Sequence, residues 1–426
     1  MANTLMEPAK LGSLTLKNRI IMSPMAVLSP EATGRPSPQT AAFLAARARG
    51  GVGMIITGGT VTSQRAFDET PYKGVMRADV EYFAHDLAAV AAAVHEHDVP
   101  IVGQIMPGFG RMGIATSTRH IISASPIRVE IPQGEVMPFP QIRPTPRAAT
   151  LDEIHEVEAG MIASAVRLHR AGWDGIEVAA HMSYFLASFL SPRTNTRSDA
   201  YGGSVANRAR IVVNIVRGIR EELGRDFVIG LRTNSNELVP GGQGAEGFAE
   251  IVREVEPAGL DYFAPTPGGY EAINETTDAR RVMIHNGDMA VFRKALSVPL
   301  VLMGLHREED ADAAMVRGHG DFVMLARPLL ADPALASKLQ ADRRDDIVRC
   351  GLDGYCGRRL MMGMPVRCKL NPQMGREHAV ANGAPLSDRS LRRRMEDGLI
   401  ALSQTRPAIA LARYAMAIQN RKNRAL

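Results

Sequence analysis

Three cysteines, Cys350, Cys356 and Cys368, fall within one short segment of a 426-residue chain that has no others. Thiolates are soft metal ligands, and an odd count argues against a disulfide framework and towards a metal or cluster site. Elsewhere Arg232 closes the apolar run that begins at Val228, and a guanidinium buried there is costly without a partner. Another apolar run ends in Thr57, Gly58 and Gly59. A flat ring can lie against backbone that carries no side chains, although a tight turn also accounts for the two glycines. The stretch from Ser191 to Arg210 holds Asn195, Arg197, Asp199, Tyr201, Asn207 and Arg208 between a strand-like and a helix-like run. A plain connection would take about 4–6 residues, and loops much longer than that usually carry function.

These residues need a frame, and short apolar runs alternating with amphipathic ones supply it. Eight runs read as strands: Ile20 to Met22, Met54 to Thr57, Ile101 to Ile105, Gly175 to Val178, Val228 to Arg232, Tyr262 to Ala264, Leu300 to Met303 and Phe322 to Leu325. Helical patterns such as Leu87 to His95, Ile154 to Arg170 and Glu308 to Arg317 lie between them. The alternation predicts an α/β fold, a closed (β/α)8 TIM barrel rather than an open doubly wound sheet. No GxGxxG follows the first strand, so a Rossmann start is not supported. Two insertions, Pro107 to Thr150 and the stretch after Ser191, follow strands and are expected at the C-terminal face, where barrel active sites form. The spacing predicts a barrel over residues 1–340, a cysteine segment over 341–380 and a basic helical tail over 381–426.

Hydrophobic residues make up 45% of the chain, and no apolar run approaches the roughly 20 residues that a membrane span requires. The N-terminus lacks the basic flank and apolar core of a secretion signal, so a cytoplasmic protein is expected, with no membrane contact. The net charge of +5 is concentrated near the C-terminus, in Arg389, Arg392, Arg393, Arg394, Arg421, Lys422 and Arg424. Aromatic residues to stack on bases are scarce there, which favours a solvated face or a docking surface over nucleic acid.

Set on a barrel, these strings resemble the Old Yellow Enzyme family of FMN oxidoreductases. SPRTNTRSDAYGGSVANRAR is similar to the family's loop after the fourth strand, LGSLTLKNRIIMSPM to its first strand, and LARPLLADP to its phosphate turn. The likeness runs from Leu11 to about Lys338, and through Glu377 to the dienoyl-CoA reductase branch. It implies that Pro24, Met25 and Ala26 pass beside the flavin ring, that Gly58 lies against it, and that Gln104 bonds its pyrimidine edge, with Gly110 and Arg111 following as the family's GR pair. Pro107 stands where a histidine is common. Arg232 is implied near flavin N1 and O2, where a fixed positive charge stabilises the anionic reduced flavin. Gly304, Ala326 and Arg327 are implied on the FMN phosphate.

On the substrate side the resemblance aligns Ala179 and Met182 with the histidine pair, or histidine and asparagine, that grips a substrate carbonyl in ordinary members. Neither can donate a hydrogen bond from its side chain. Tyr184 aligns with the proton-donor tyrosine, and Tyr270 with a histidine of the dienoyl-CoA reductase branch. The implied reaction delivers hydride from flavin N5 to the β-carbon of an α,β-unsaturated carbonyl compound or enoyl-CoA, with Tyr184 protonating the α-carbon. His181 is either a carbonyl donor turned into the pocket or a satisfied structural histidine.

The cysteine segment, with Asn371, Pro372, Gly375, Arg376 and Glu377 behind it, resembles the iron-sulfur segment of the same branch. That branch has four cysteines, and here Asp353 is nearest the gap. The expectation is a [4Fe-4S] cluster on Cys350, Asp353, Cys356 and Cys368, against zinc or three free thiols. The helical tail stands where the branch continues into FAD- and NAD(P)-binding domains. Electrons are then expected from a separate reductase docked on the basic tail if a cluster is present, or directly from NAD(P)H if it is absent. A small-molecule substrate and a homo-oligomer are expected. Two other readings stay open: an oxidative enzyme of the superfamily, such as an amine demethylase or dehydrogenase, and a non-catalytic electron-transfer subunit.

Overall fold

The computed structural model describes residues 4–425 except 72–73, 117–118, 135–138, 277–282, 387 and 389. Ser387 and Arg389, counted above with the tail, therefore lie outside the described residues. Each apolar run forms a strand, in chain order β1 (Ile20–Met22), β2 (Met54–Ile56), β3 (Ile101–Met106), β4 (Gly175–Ala180), β5 (Val228–Asn236), β6 (Tyr262–Phe263), β7 (Val301–Leu302) and β8 (Phe322–Leu325). All neighbours pair in parallel, in the order β6-β5-β4-β3-β2-β1-β8-β7. A parallel bridge from Phe263 to Leu300, with Phe263 N–H donating to Pro299 O at 3.0 Å, joins the two ends into a ring.

Helices alternate with the strands: α1 (Pro38–Arg49), α2 (Ala84–His95), α3 (Leu151–Arg170), α4 (Val205–Leu223), α5 (Ala245–Val255), α6 (Asp288–Ala295), α7 (Glu308–Val316) and α8 (Arg327–Ala331). Their starts are written in the sequence. Ser37 and Thr40 close a capping box on α1, with Pro38 in its first turn, and Thr150 and Glu153 do the same on α3. One core lies between the strands and the helices, and a second fills the barrel with Ile21, Ile56, Val102, Val301, Phe322 and Met324. Leu11 and Leu16, from an antiparallel hairpin near the N-terminus, join that inner core. The hairpin turn packs beside Val228, the first residue of β5, so it plugs the barrel end opposite the strand C-termini.

The insertion after β3 folds into short pairings, including a hairpin of Glu130–Ile131 with Gln141–Ile142. The stretch after Ser191 is a lattice of side-chain bonds to backbone. Asn195 Nδ2 donates to Phe189 O and Tyr201 O at 2.8 and 2.7 Å, Arg197 Nη1 to Ala124 O and Ala149 O at 3.1 and 2.7 Å, and Arg208 to Leu190 O and Gly203 O at 3.0 and 2.6 Å. It therefore braces the β4 excursion against the β3 excursion.

Beyond the barrel, Glu377 reaches back to α1 in a buried ion pair with Arg47 at 2.6 Å. The chain ends in α9 (Leu391–Ser403) and α10 (Arg406–Ala425), the tail helices. Arg359, fully buried, ties the cysteine segment to α9 through Glu396 at 2.5 Å. Among the described residues no helix is long and apolar enough to cross a membrane.

Candidate active site

The C-terminal ends of the strands bring polar side chains together over the inner core. Arg232, 1% exposed, and Glu177, fully buried, stand on adjacent β5 and β4. Arg232 Nε and Nη2 donate to the two carboxylate oxygens of Glu177 at 2.8 and 3.1 Å. Gln104 Nε2 donates to Glu177 at 2.8 Å and Tyr262 Oη at 3.2 Å. Burial and the Glu177 charge push the Tyr262 phenol well above its ordinary range, so it remains a donor. The costly guanidinium thus finds its counter-charge within the protein. Glu177 was missed, although a carboxylate in the fully buried run Gly175–Ala180 is itself a signal.

Gly58, at the end of β2, serves close packing. A Cβ there would lie 2.3 Å from Met25 O, so the glycine lets the turn after β1 press against the turn after β2. Met25, Ala26, Thr57 and Gly58 line a small cavity at this edge of the mouth. Pro24 precedes that turn and is partly exposed. Thr57 Oγ1 is buried without a hydrogen-bond partner.

Across the mouth, the ends of β7 and β8 gather cations. Gly304 takes a positive φ of 85° directly after Met303. Ala326 precedes α8, and Arg327, its first residue, has Nη2 2.7 Å from His306 Nε2. Burial and the nearby Arg327 and Arg307 lower the His306 pKa to about 4, so the ring is neutral at pH 7 and accepts that bond. Its proton then sits on Nδ1, which is buried with no partner among the described residues, as is Arg307 Nη1. Unpartnered donors beside a guanidinium fit an anionic phosphate group. His306 and Arg307 were missed, although they lie two and three residues beyond Gly304.

The substrate side sits above β4. Met182 takes a positive φ of 58°, and its N–H is held by Asn234 Oδ1 from β5 at 2.7 Å. That pinned backbone turns Tyr184 towards Tyr270, with the two phenol oxygens 3.1 Å apart. Phe109 packs edge-on to Tyr184 with ring centroids 5.3 Å apart, and His181 does so from another side at 5.4 Å. Burial and the neighbouring Tyr184 push the Tyr270 phenol well above its ordinary range. Burial and Arg232 hold His181 well below its ordinary range, so it is neutral, and its Nδ1 is buried without a partner. Ala179 lies in the same apolar cluster and offers no side-chain donor. The next residue after Tyr270, Glu271, is gripped by Arg111 at 3.0 Å and Arg193 at 2.7 Å, which fixes the turn carrying the phenol.

Cys350 and Cys368 both lie near enough to Cys356 to act on it electrostatically, whereas Asp353 is turned to other partners. Asp353 Oδ2 pairs with Lys369 Nζ at 2.9 Å, and its other oxygen accepts from Tyr355 N–H at 3.1 Å. Cys350, Cys356 and Cys368 are free thiols, with Cys356 pushed up by burial. Among the described residues no group of three or more His, Cys, Asp or Glu is arranged to hold a metal ion. The carboxylate expected to complete the ligand set is engaged by a lysine in a half-exposed ion pair.

Comparison with known proteins agrees with the barrel. The chain is 32% identical over 384 residues to an NADH oxidase of Thermoanaerobacter brockii, which covers 88% of this chain and 56% of that one. It is 28% identical over 398 residues to a cinnamate reductase of Clostridium sporogenes, covering 88% and 58%. It is 27% identical over 388 residues to an N,N-dimethylglycine/sarcosine dehydrogenase of Chromohalobacter salexigens, covering 88% and 54%. Among solved structures, a 2-naphthoyl-CoA reductase bound to 2-naphthoyl-CoA superposes with a TM-score of 0.79 at 29% identity, covering 89% of this chain and 58% of that one. The chain thus spans little more than half the length of these relatives. They include reductases of cinnamate and of 2-naphthoyl-CoA and a dehydrogenase of N,N-dimethylglycine and sarcosine. Residues 4–346 match the NADH:flavin oxidoreductase / NADH oxidase family, and the chain belongs to that family.

Proposed function

We propose that the chain is an FMN-dependent reductase of α,β-unsaturated carbonyl compounds, in the manner of the dienoyl-CoA reductase branch. The observation that carries this reading is the pair of phenols, Tyr184 and Tyr270, 3.1 Å apart at the barrel mouth. Bound FMN would supply the hydride for the β-carbon of the substrate. Gln104 and Arg232 would hold its ring and Arg327, His306 and the Gly304 turn its phosphate. Because Arg232 shares its charge with Glu177, it offers the ring an N–H donor within a neutralised pair.

Tyr184 gives its proton to the α-carbon. The oxygen left behind is stabilised by Tyr270, which burial keeps protonated and therefore able to donate. His181, neutral and with Nδ1 unpartnered, is the donor to the substrate carbonyl in place of the pair lost at Ala179 and Met182. Electrons come from NAD(P)H directly, or from a separate reductase docked on the tail.

A second reading is favoured by the same rings. Phe109, Tyr184 and Tyr270 form a contiguous set of edge-packed aromatic rings, and ring faces attract an amine cation before its oxidation. The two readings separate in one anaerobic experiment. FMN-loaded protein reduced with dithionite is mixed with 2-cyclohexenone, and oxidised protein with dimethylglycine. Reoxidation by the enone supports the reductase, whereas bleaching by the amine with no response to the enone overturns it.

A further inference from the structure

The tail helix α10 is part of the mouth. Asn420 accepts from Ile142 N–H at 2.8 Å and donates to Pro140 O at 2.9 Å, while Asn423 donates to Ile142 O at 2.7 Å. Both asparagines are buried. They read the backbone of the Gln141–Ile142 strand, whose hairpin partner Ile131 packs in the cluster with Tyr184 and Tyr270. The hairpin is therefore clamped between the tail and the two phenols.

Behind the clamp lies a cavity of about 520 Å³ lined by Glu130, Ile131, Gln141, Glu271, Arg421 and Arg424 among others. A volume of a few hundred Å³ suits an organic ligand. Ala417, Asn420, Arg421 and Arg424 are spaced at i, i+3, i+4 and i+7, so one face of α10 supplies this whole wall. Its two acids are engaged elsewhere. Glu271 is held by Arg111 and Arg193, and Glu130 by Arg128 at 3.1 Å. Among the described residues neither Arg421 nor Arg424 has an acidic partner. The uncompensated charge on the cavity wall is therefore positive, and Glu271, on the same wall, directly follows Tyr270 in the chain.

We propose that this cavity is a subsite for the phosphate-bearing nucleotide tail of a ligand whose reactive end lies at the tyrosines. The inference rests on the reductase reading for which end reacts, but the subsite itself is defined by binding. Two ligands share this chemistry, an acyl thioester of coenzyme A and a reduced nicotinamide dinucleotide. Guanidinium groups favour phosphate oxygens, and an apolar wall of Ile131 and Pro132 beside them suits the uncharged stretch of either.

The test measures binding to FMN-loaded protein by calorimetry, with coenzyme A, NADPH and phosphate-free pantetheine as probes. The expected result is that coenzyme A or NADPH binds at least tenfold more tightly than pantetheine. The double variant R421Q/R424Q should abolish that margin, and R421K/R424K should restore part of it. A loss confined to coenzyme A assigns the subsite to the substrate, and a loss confined to NADPH assigns it to the electron donor. Equal affinity of wild type and R421Q/R424Q for both nucleotides overturns the proposal. Because no turnover is read, failure of enone reduction leaves this result interpretable.

Discussion

Glu177→Gln removes the counter-charge of Arg232 while keeping its volume. In the wild type one carboxylate accepts from Arg232 twice, from Gln104 and from Tyr262, at 2.8 to 3.2 Å. The amide replaces one acceptor oxygen with a donor facing other donors, and it leaves a guanidinium that is 1% exposed without a counter-charge. Breaking a buried pair by removing one partner costs about 3–5 kcal/mol. At about 2 °C per kcal/mol for a large chain, the melting temperature should fall by roughly 6–10 °C. Replacing both partners by apolar groups, E177L/R232M, should recover much of that loss, since neither charge is then buried alone. Thermal unfolding followed by circular dichroism of the apoprotein measures both. An E177Q melt within about 2 °C of wild type, or a double variant as unstable as the sum of the singles, would refute the view that this pair carries its own electrostatic balance.

Three further outcomes follow from the same geometry. Arg327→Ala should weaken FMN binding roughly 10- to 150-fold, the equivalent of about 1.5–3 kcal/mol for a charge-assisted bond, as read by fluorescence titration of the apoprotein. Glu69, 2% exposed, has its pKa raised by burial from 4.5 to about 7. The folded protein therefore binds the extra proton between those values, and stability should decline as pH rises from 4.5 to 7, whereas E69Q should flatten that slope in urea unfolding. With Asp353 held by Lys369, anaerobically purified protein should yield three titratable thiols and less than one iron per chain; four irons with four sulfides would contradict the ligand account.

Much of the fold was legible because each barrel strand is a run of apolar residues and α1, α3 and α4 carry side-chain caps at their starts. Ser37 with Pro38 and Thr150 with Glu153 mark helix starts on local chemistry alone. The meeting of Tyr184 with Tyr270 was anticipated only by alignment, because 86 residues separate them and loop conformation decides whether their oxygens meet. Glu177, His306 and the asparagines of α10 escaped for a related reason. Their importance lies in partners far along the chain, Arg232, Arg327 and Ile142, which no local pattern reveals. The Ser191 to Arg210 stretch was read as functional for its length, yet its side chains bond mainly to backbone and brace other loops. Asp353, suggested by proximity in sequence, sits in a half-exposed ion pair with Lys369.

The central claim is that Tyr184 protonates the substrate with Tyr270 behind it. Its most direct test is a single turnover of reduced, FMN-loaded Y184F with 2-cyclohexenone, followed by flavin reoxidation. Loss of a general acid should slow that step about 10²-fold or more while leaving reduction by NADPH near the wild-type rate. Reoxidation of Y184F at the wild-type rate would contradict the account.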